Sequence, residues 1–164
     1  MILSKKIWGI SIAVAIVLGI LISIIIRTFL FDVIIIHGTS MMPTLIDNEK
    51  IIINKIGYRI SEPDYGDVIL FKHDENENYI KRIIGKEGDT IEIKDSLVYR
   101  NGKVLDEPYI SADKYGDFLK VTVPKGRYFV LGDNRAISLD SRYKSVGNVK
   151  RENIIGKTIL LAIQ

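Results

Sequence analysis

The chain has 164 residues, 47% of them apolar, a net charge of +3 and no cysteine. That length holds one domain with a real core. So small a charge, with Lys and Arg scattered among Asp and Glu, gives no ground for nucleic-acid binding. The lack of cysteine excludes disulfides, thiolate zinc sites and a Cys nucleophile, and with it a sortase-like transpeptidase. His37 and His73 lack the spacing of a two-His zinc motif. No metal or cofactor is expected.

Residues 7–26 carry no charge. About 20 such residues, at about 1.5 Å each, cross a hydrocarbon core of about 30 Å. Lys5 and Lys6 precede the run, Trp8 sits where indole favours the interface, and Arg27, Phe29, Phe31 and Asp32 follow. Two lysines before it against one arginine after it favour an inside amino terminus. Ala13-Val14-Ala15 would suit a signal-peptide cleavage site, but the apolar run continues well past it. The run is apolar all round, unlike a half-buried core helix or an interfacial one. The expected layout is a cytoplasmic 1–6, a retained transmembrane anchor 7–26 and an extracytoplasmic domain 27–164.

Beyond Arg27 the pattern turns to short strands. Val33 to Ile36 is β-branched and apolar, and Ile51 to Asn54 repeats that pattern. Gly66-Asp67 leads into Val68 to Phe71. Asp74 to Asn78 reads as a hairpin tip, and Tyr79 to Ile84 as the strand after it, closed by Gly85 to Asp89. Thr90 to Lys94 alternates. Leu97 to Tyr99 and Lys103 to Leu105 flank Asn101-Gly102, a type I′ hairpin signal. After a polar loop over Asp113 to Asp117 come Val121 to Val123, Tyr128 to Leu131 and Ile154 to Ile163. Strands about ten residues apart, with turn signals between them, predict an antiparallel barrel or sandwich-like domain.

Ser40 lies in Gly38-Thr39-Ser40-Met41-Met42-Pro43-Thr44, where a strand ends in a turn. Gly38 permits unusual dihedrals or close backbone approach, and Pro43 ends the ladder. A hydroxyl there is either an ordinary turn serine or an exposed nucleophile with backbone N–H groups near a developing oxyanion. A serine nucleophile needs a base. His37 and His73 read as surface residues. Lys81 shares a strand face with Tyr79 and Ile83. It is either a snorkelling or salt-bridged lysine or a desolvated one with a lowered pKa. Arg82, on the other face with Ile80 and Ile84, stays protonated and is no base. Gly132-Asp133-Asn134-Arg135 and Ser138-Leu139-Asp140-Ser141-Arg142 form a polar turn, in which Asp133 and Asp140 are candidates to pair with Arg135 or Arg142.

Four segments in this order behind one apolar run resemble the conserved boxes of bacterial type I signal peptidases, peptidase family S26. They are Ser40 to Leu45, Gly66 to Phe71, Tyr79 to Asp89, and Gly132 to Arg135 with Ser138 to Arg142. The short domain and single anchor resemble the Gram-positive form. The resemblance implies a membrane-bound serine endopeptidase with a Ser–Lys dyad. It would cut signal peptides from exported preproteins after small residues, at the plasma membrane of a bacterium. Ser40 would be the nucleophile and Lys81 the base. Ser138 would orient the lysine, and Asp133, Arg135, Asp140 and Arg142 would support the site. Ile34, Ile36, Met41 and Ile80 would line the pockets for the first and third residues before the cut. The implied fold is mainly β: one transmembrane helix, then a mostly antiparallel, partly barrel-like catalytic domain whose apolar surface meets the lipid bilayer. Gly38 stands where some members carry an oxyanion-donating serine, leaving the Ser40 N–H and another donor. Glu87 stands where the base box often has proline, and little consequence is expected.

Two other functions fit parts of the pattern. A self-cleaving, repressor-type Ser–Lys protease would share the dyad but not the anchor. A tethered β-domain that binds peptides without cutting them would tolerate loss of the Ser40 hydroxyl.

Overall fold

In the computed structural model the backbone is described for residues 2–25, 29–110 and 114–159. Helix α1 covers Ile2–Ile25, 24 residues or about 36 Å along the axis. Among the described residues no helix is long and apolar enough to cross a membrane. Ile26 and Arg27, at the end of the expected anchor, lie outside the described residues, as does the stretch 160–163 of the last expected strand.

The rest is two antiparallel sheets. The strands are β1 (Phe31–Ile35), β2 (Lys50–Asn54), β3 (Val68–Lys72), β4 (Asn78–Gly85), β5 (Thr90–Lys94), β6 (Leu97–Arg100), β7 (Lys103–Val104), β8 (Phe118–Thr122), β9 (Arg127–Leu131), β10 (Val149–Lys150) and β11 (Ile154–Ile159). Seven form one sheet in the order β1-β2-β11-β3-β4-β9-β10, and β7-β6-β5-β8 form the second. A short helix, α2 (Gly57–Ile60), follows β2. Mainly β and antiparallel is therefore correct, in the form of two open sheets.

The sheets join where β4 turns into β5. Ile84, Ile91, Ile93, Val98, Val123, Phe129 and Leu131 pack there as one cluster drawn from both. A second cluster, with Ile69, Phe71, Ile83 and Val130, lies on the large sheet. A third, with Ile36, Met41, Leu45, Ile53 and Leu70, lies under the Ser40 turn. β4 is an interior strand of the large sheet, and its residues from Lys81 to Gly85 are all buried.

Local turn chemistry explains the hairpins. Asn101 and Gly102 both have positive φ, as a type I′ turn requires. Asp95 and Ser96, between β5 and β6, also have positive φ, although nothing in their sequence announces it. Tertiary bonds hold them: the Asp95 N–H donates to Asp117 Oδ1 at 3.0 Å and the Ser96 hydroxyl to the Tyr115 carbonyl at 3.0 Å. The strand expected at Val121 to Val123 begins earlier, at Phe118. β10 is too short for any periodic signal. Glu87 accepts a hydrogen bond from the Gly126 N–H at 2.8 Å, tying two turns together.

Candidate active site

The Ser40 turn follows β1 and sits on the apolar cluster below it, with Met41 and Leu45 buried to 2% and 1% exposure. Gly38, at φ +95, turns the chain, and its N–H donates to Asp47 Oδ1 at 2.7 Å. That N–H is thus already engaged. Among the described residues the Ser40 N–H has no hydrogen-bond partner.

From β4, 41 residues on, Lys81 Nζ lies 2.8 Å from Ser40 Oγ. Lys81 is only 4% exposed, and its ammonium lies 5.4 Å from the centre of the Tyr79 ring. Burial pushes its pKa down to about 8, against a smaller upward pull from Asp140 and Asp133. Both carboxylates are committed elsewhere, so neither forms an ion pair with Lys81. An amine that is partly neutral near pH 8, within hydrogen-bond reach of a hydroxyl, can take that hydroxyl's proton.

The turn 132–135 holds Ser40 from behind. The Asn134 N–H donates to the Ser40 carbonyl at 3.0 Å and its side-chain amide to the Thr39 carbonyl at 3.2 Å. Gly132 is required by contact: a β-carbon there would lie 2.2 Å from Ser138 Oγ and 2.5 Å from the Ser40 carbonyl oxygen. Ser138 is buried beside these atoms, and its hydroxyl has no hydrogen-bond partner among the described residues. It therefore neighbours the pair without bonding to Lys81.

The supporting residues are brought together, but with different partners from those the sequence suggested. Asp133 pairs with Arg82, not with Arg135 or Arg142: Arg82 Nε and Nη2 donate to its two oxygens at 2.8 and 2.5 Å. Thr44 Oγ1 donates to the same carboxylate at 2.5 Å. Arg82 also donates to the Gly66 carbonyl at 2.8 Å and stacks 3.9 Å from the Tyr109 ring centre. Arg135 pairs with Glu107, at 2.8 and 2.6 Å, and donates to the Gly132 carbonyl at 3.0 Å. Only the Asp140–Arg142 pair is as expected, at 2.8 and 2.9 Å; Asp140 also accepts from the Gly132 N–H at 3.1 Å. No local sequence signal marks Arg82, Glu107 and Thr44 as holding the site together. Their partners lie 51, 28 and 89 residues away, a separation that local patterns cannot bridge.

Ser40 and Lys81 open onto a cleft of about 520 Å³. Ile34, Ile36, Met41 and Ile80 all line it, joined by Leu45, Leu70, Tyr79, Ile137 and Leu139. His37 also lines it, and its side chain is exposed. On the tip between β3 and β4, His73, Asp74 and Glu77 bring three potential metal-ligand atoms within 4.8 Å of one another. Those side chains are locally engaged: Asp74 accepts from the N–H groups of Asn76 and Glu77, Glu77 accepts from the Tyr79 hydroxyl, and His73 stacks on Tyr79.

Comparison with known proteins points to one family. The family model described as signal peptidase, peptidase S26, matches residues 9–163. Signal peptidase I T of Bacillus subtilis (strain 168) is 42% identical over 153 residues, covering 87% of this chain and 79% of that protein. Signal peptidase IB of Staphylococcus aureus is 40% identical over 168 residues, covering 92% and 85%. A crystal structure of a signal peptidase I from Enterococcus faecalis V583 superposes with a TM-score of 0.52 at 38% identity, covering 60% of this chain and 97% of that one. The repressor-type and non-enzymatic readings fall away, and the chain belongs to the S26 signal peptidases, serine endopeptidases that remove signal peptides from preproteins.

Proposed function

We propose that cleavage runs through a Ser40–Lys81 dyad. Neutral Lys81 takes the Ser40 proton as Oγ attacks the scissile carbonyl carbon. The tetrahedral oxyanion faces the N–H of Ser40. Lys81 then gives its proton to the leaving amine as the C–N bond breaks, freeing the mature protein and leaving the signal peptide esterified to Ser40. Water, deprotonated by Lys81, hydrolyses that ester and the proton returns to Ser40. The observation carrying this reading is the 2.8 Å approach of a buried lysine, with no carboxylate partner among the described residues, to the Ser40 hydroxyl. Ser138, Asp133, Arg135, Asp140 and Arg142 act by positioning. Ser40→Ala should stay folded, within about 0.5 kcal/mol of the parent, and lose cleavage of a preprotein. Cleavage at the parent's rate would refute the dyad.

The substrate binds as an extended strand. The Ile36 N–H donates to the Glu49 carbonyl and its carbonyl accepts from the Asn48 N–H. Antiparallel alternation then turns the backbone groups of Ile35 and His37 towards the open edge of β1. β9 pairs with β4 only from Arg82 onward, leaving residues 78–81 uncovered on that side. A strand added between these edges sends alternate side chains to the floor at Ile36, Met41 and Ile80. Those shallow apolar pockets favour small residues at the first and third positions before the cut.

The enzyme is anchored by a transmembrane helix over residues 7–26, with 1–6 in the cytoplasm and 27–164 as the catalytic domain outside the plasma membrane of a bacterium. The 24-residue α1 and the uncharged 7–26 support this. Protease added to intact protoplasts should degrade the domain; full protection would reverse the topology.

A further inference from the structure

The long loop between β9 and β10 is locked by charge, yet it presents two apolar side chains outward. Ile137 and Leu139 are 60% and 39% exposed, while the alternating Ser138 and Asp140 are 1% and 0% exposed. The loop cannot readily turn these residues inward. The Ser138 N–H donates to the Asn134 carbonyl at 3.1 Å, and Arg142 Nη2 donates to the carbonyls of Arg135 and Ser138 at 2.8 and 3.3 Å. Both residues line the cleft that holds Ser40 and Lys81, as does Ile35, 48% exposed on the edge strand. The cleft therefore has two apolar levels: a buried floor at Ile36 and Met41, 5% and 2% exposed, and an exposed rim.

An extended peptide presents side chains to opposite sides in alternation. When the first and third residues before the cut face the floor, the second faces the rim. We propose that Ile137 and Leu139, with Ile35, are specificity-determining residues that take an apolar side chain at the second position before the cut. This inference rests on the extended-strand reading of signal-peptide binding. The occupant is the substrate because both side chains line the cleft of the Ser40–Lys81 pair, and the serine between them packs against Gly132 beside the Ser40 carbonyl. Burial of an apolar side chain on such a rim gives moderate discrimination, on the order of five- to tenfold.

The test uses the full chain in detergent micelles and soluble peptides with alanine at the first and third positions and leucine, serine or aspartate at the second. For the parent, kcat/KM should be about five- to tenfold higher for leucine than for serine, with aspartate lowest. The double variant Ile137→Ser/Leu139→Ser should bring the leucine-to-serine ratio close to one. Ile137→Leu/Leu139→Ile, which keeps the apolar area, should retain the parent's ratio. Three results overturn the rim: a parent that cuts all three peptides alike, a serine variant whose rate falls equally on all of them, or a defect seen only with vesicle-bound preprotein, which would assign these residues to the bilayer. Failure of the parent to cut any of the peptides would instead count against the extended-strand reading itself.

Discussion

Lys81 and Arg82 are neighbours on one strand, both cationic and both buried, at 4% and 8% exposure, and their surroundings are opposite. The Arg82 guanidinium meets both oxygens of Asp133, the Gly66 carbonyl and the Tyr109 ring. Lys81 meets a neutral hydroxyl and an aromatic face, and the nearby carboxylates reach it only through space. Successive strand residues face opposite sides, so two adjacent cations enter different environments. A buried charge with a bidentate partner stays charged and braces the fold. A buried amine without one moves towards neutrality, as a base requires.

The largest effect should come from removing the unpaired cation. Lys81→Met keeps the stem and deletes the amine. Activity should fall about a thousandfold or more, while the protein stays folded. The interval from 10.5 down to about 8 corresponds to roughly 3 kcal/mol against the charged form. Because the folded pKa lies below the unfolded one, this penalty is fully present below pH 8 and fades as pH rises towards 10.5. The variant should therefore melt no lower than the parent at pH 7 and lose any advantage by pH 10.5. Parent activity should climb as pH rises through about 8. An active Lys81→Met protein, or a parent rate indifferent to pH across this window, would remove Lys81 from the chemistry.

The paired cation should behave in the opposite way. Arg82→Met strands Asp133, which is 0% exposed, without its bidentate partner, a loss of about 3–5 kcal/mol in stability. Denaturant melts of the two methionine variants side by side make the comparison direct. Equal stabilities would mean that pairing does not separate these neighbours.

A smaller effect is expected where the two surroundings meet. Gly132→Ala places a methyl group against Ser138 Oγ and the Ser40 carbonyl. Overpacking of this kind costs about 1–3 kcal/mol. It should also slow cleavage, since the displaced atoms belong to the Ser40 turn and its neighbour. Parent-like melting and cleavage would show that Ser138 and the Ser40 carbonyl both give way without cost.

The strands of the catalytic region were legible because period-two alternation and turn residues are local signals; Asn101-Gly102 announces its hairpin through φ alone. Ser40 and Lys81 were legible as candidates through their motifs, but alternation could say only that Lys81 and Arg82 face opposite ways. It could not say which face holds a carboxylate. The sequence offers Asp133 nearby arginines as candidate partners, and it pairs with one 51 residues away. Glu107, the partner of Arg135, lies in a stretch with no periodic pattern to mark it. Leu139 reads as part of a polar turn and Ile137, just before it, carries no signal, because exposure on a cleft is invisible to a pattern of neighbours.

The sequence by itself determined most of the strands and the side of the strand each residue occupies, since these follow from bond geometry over a few residues. Only the tertiary structure decided which buried charges are paired. The sheet order sets β11 between β2 and β3 and brings the turns after β1 and β9 together beside β4. Electrostatic environment depends on what arrives from these distant segments. The same strand therefore holds one lysine poised to lose its proton and one arginine held by a carboxylate.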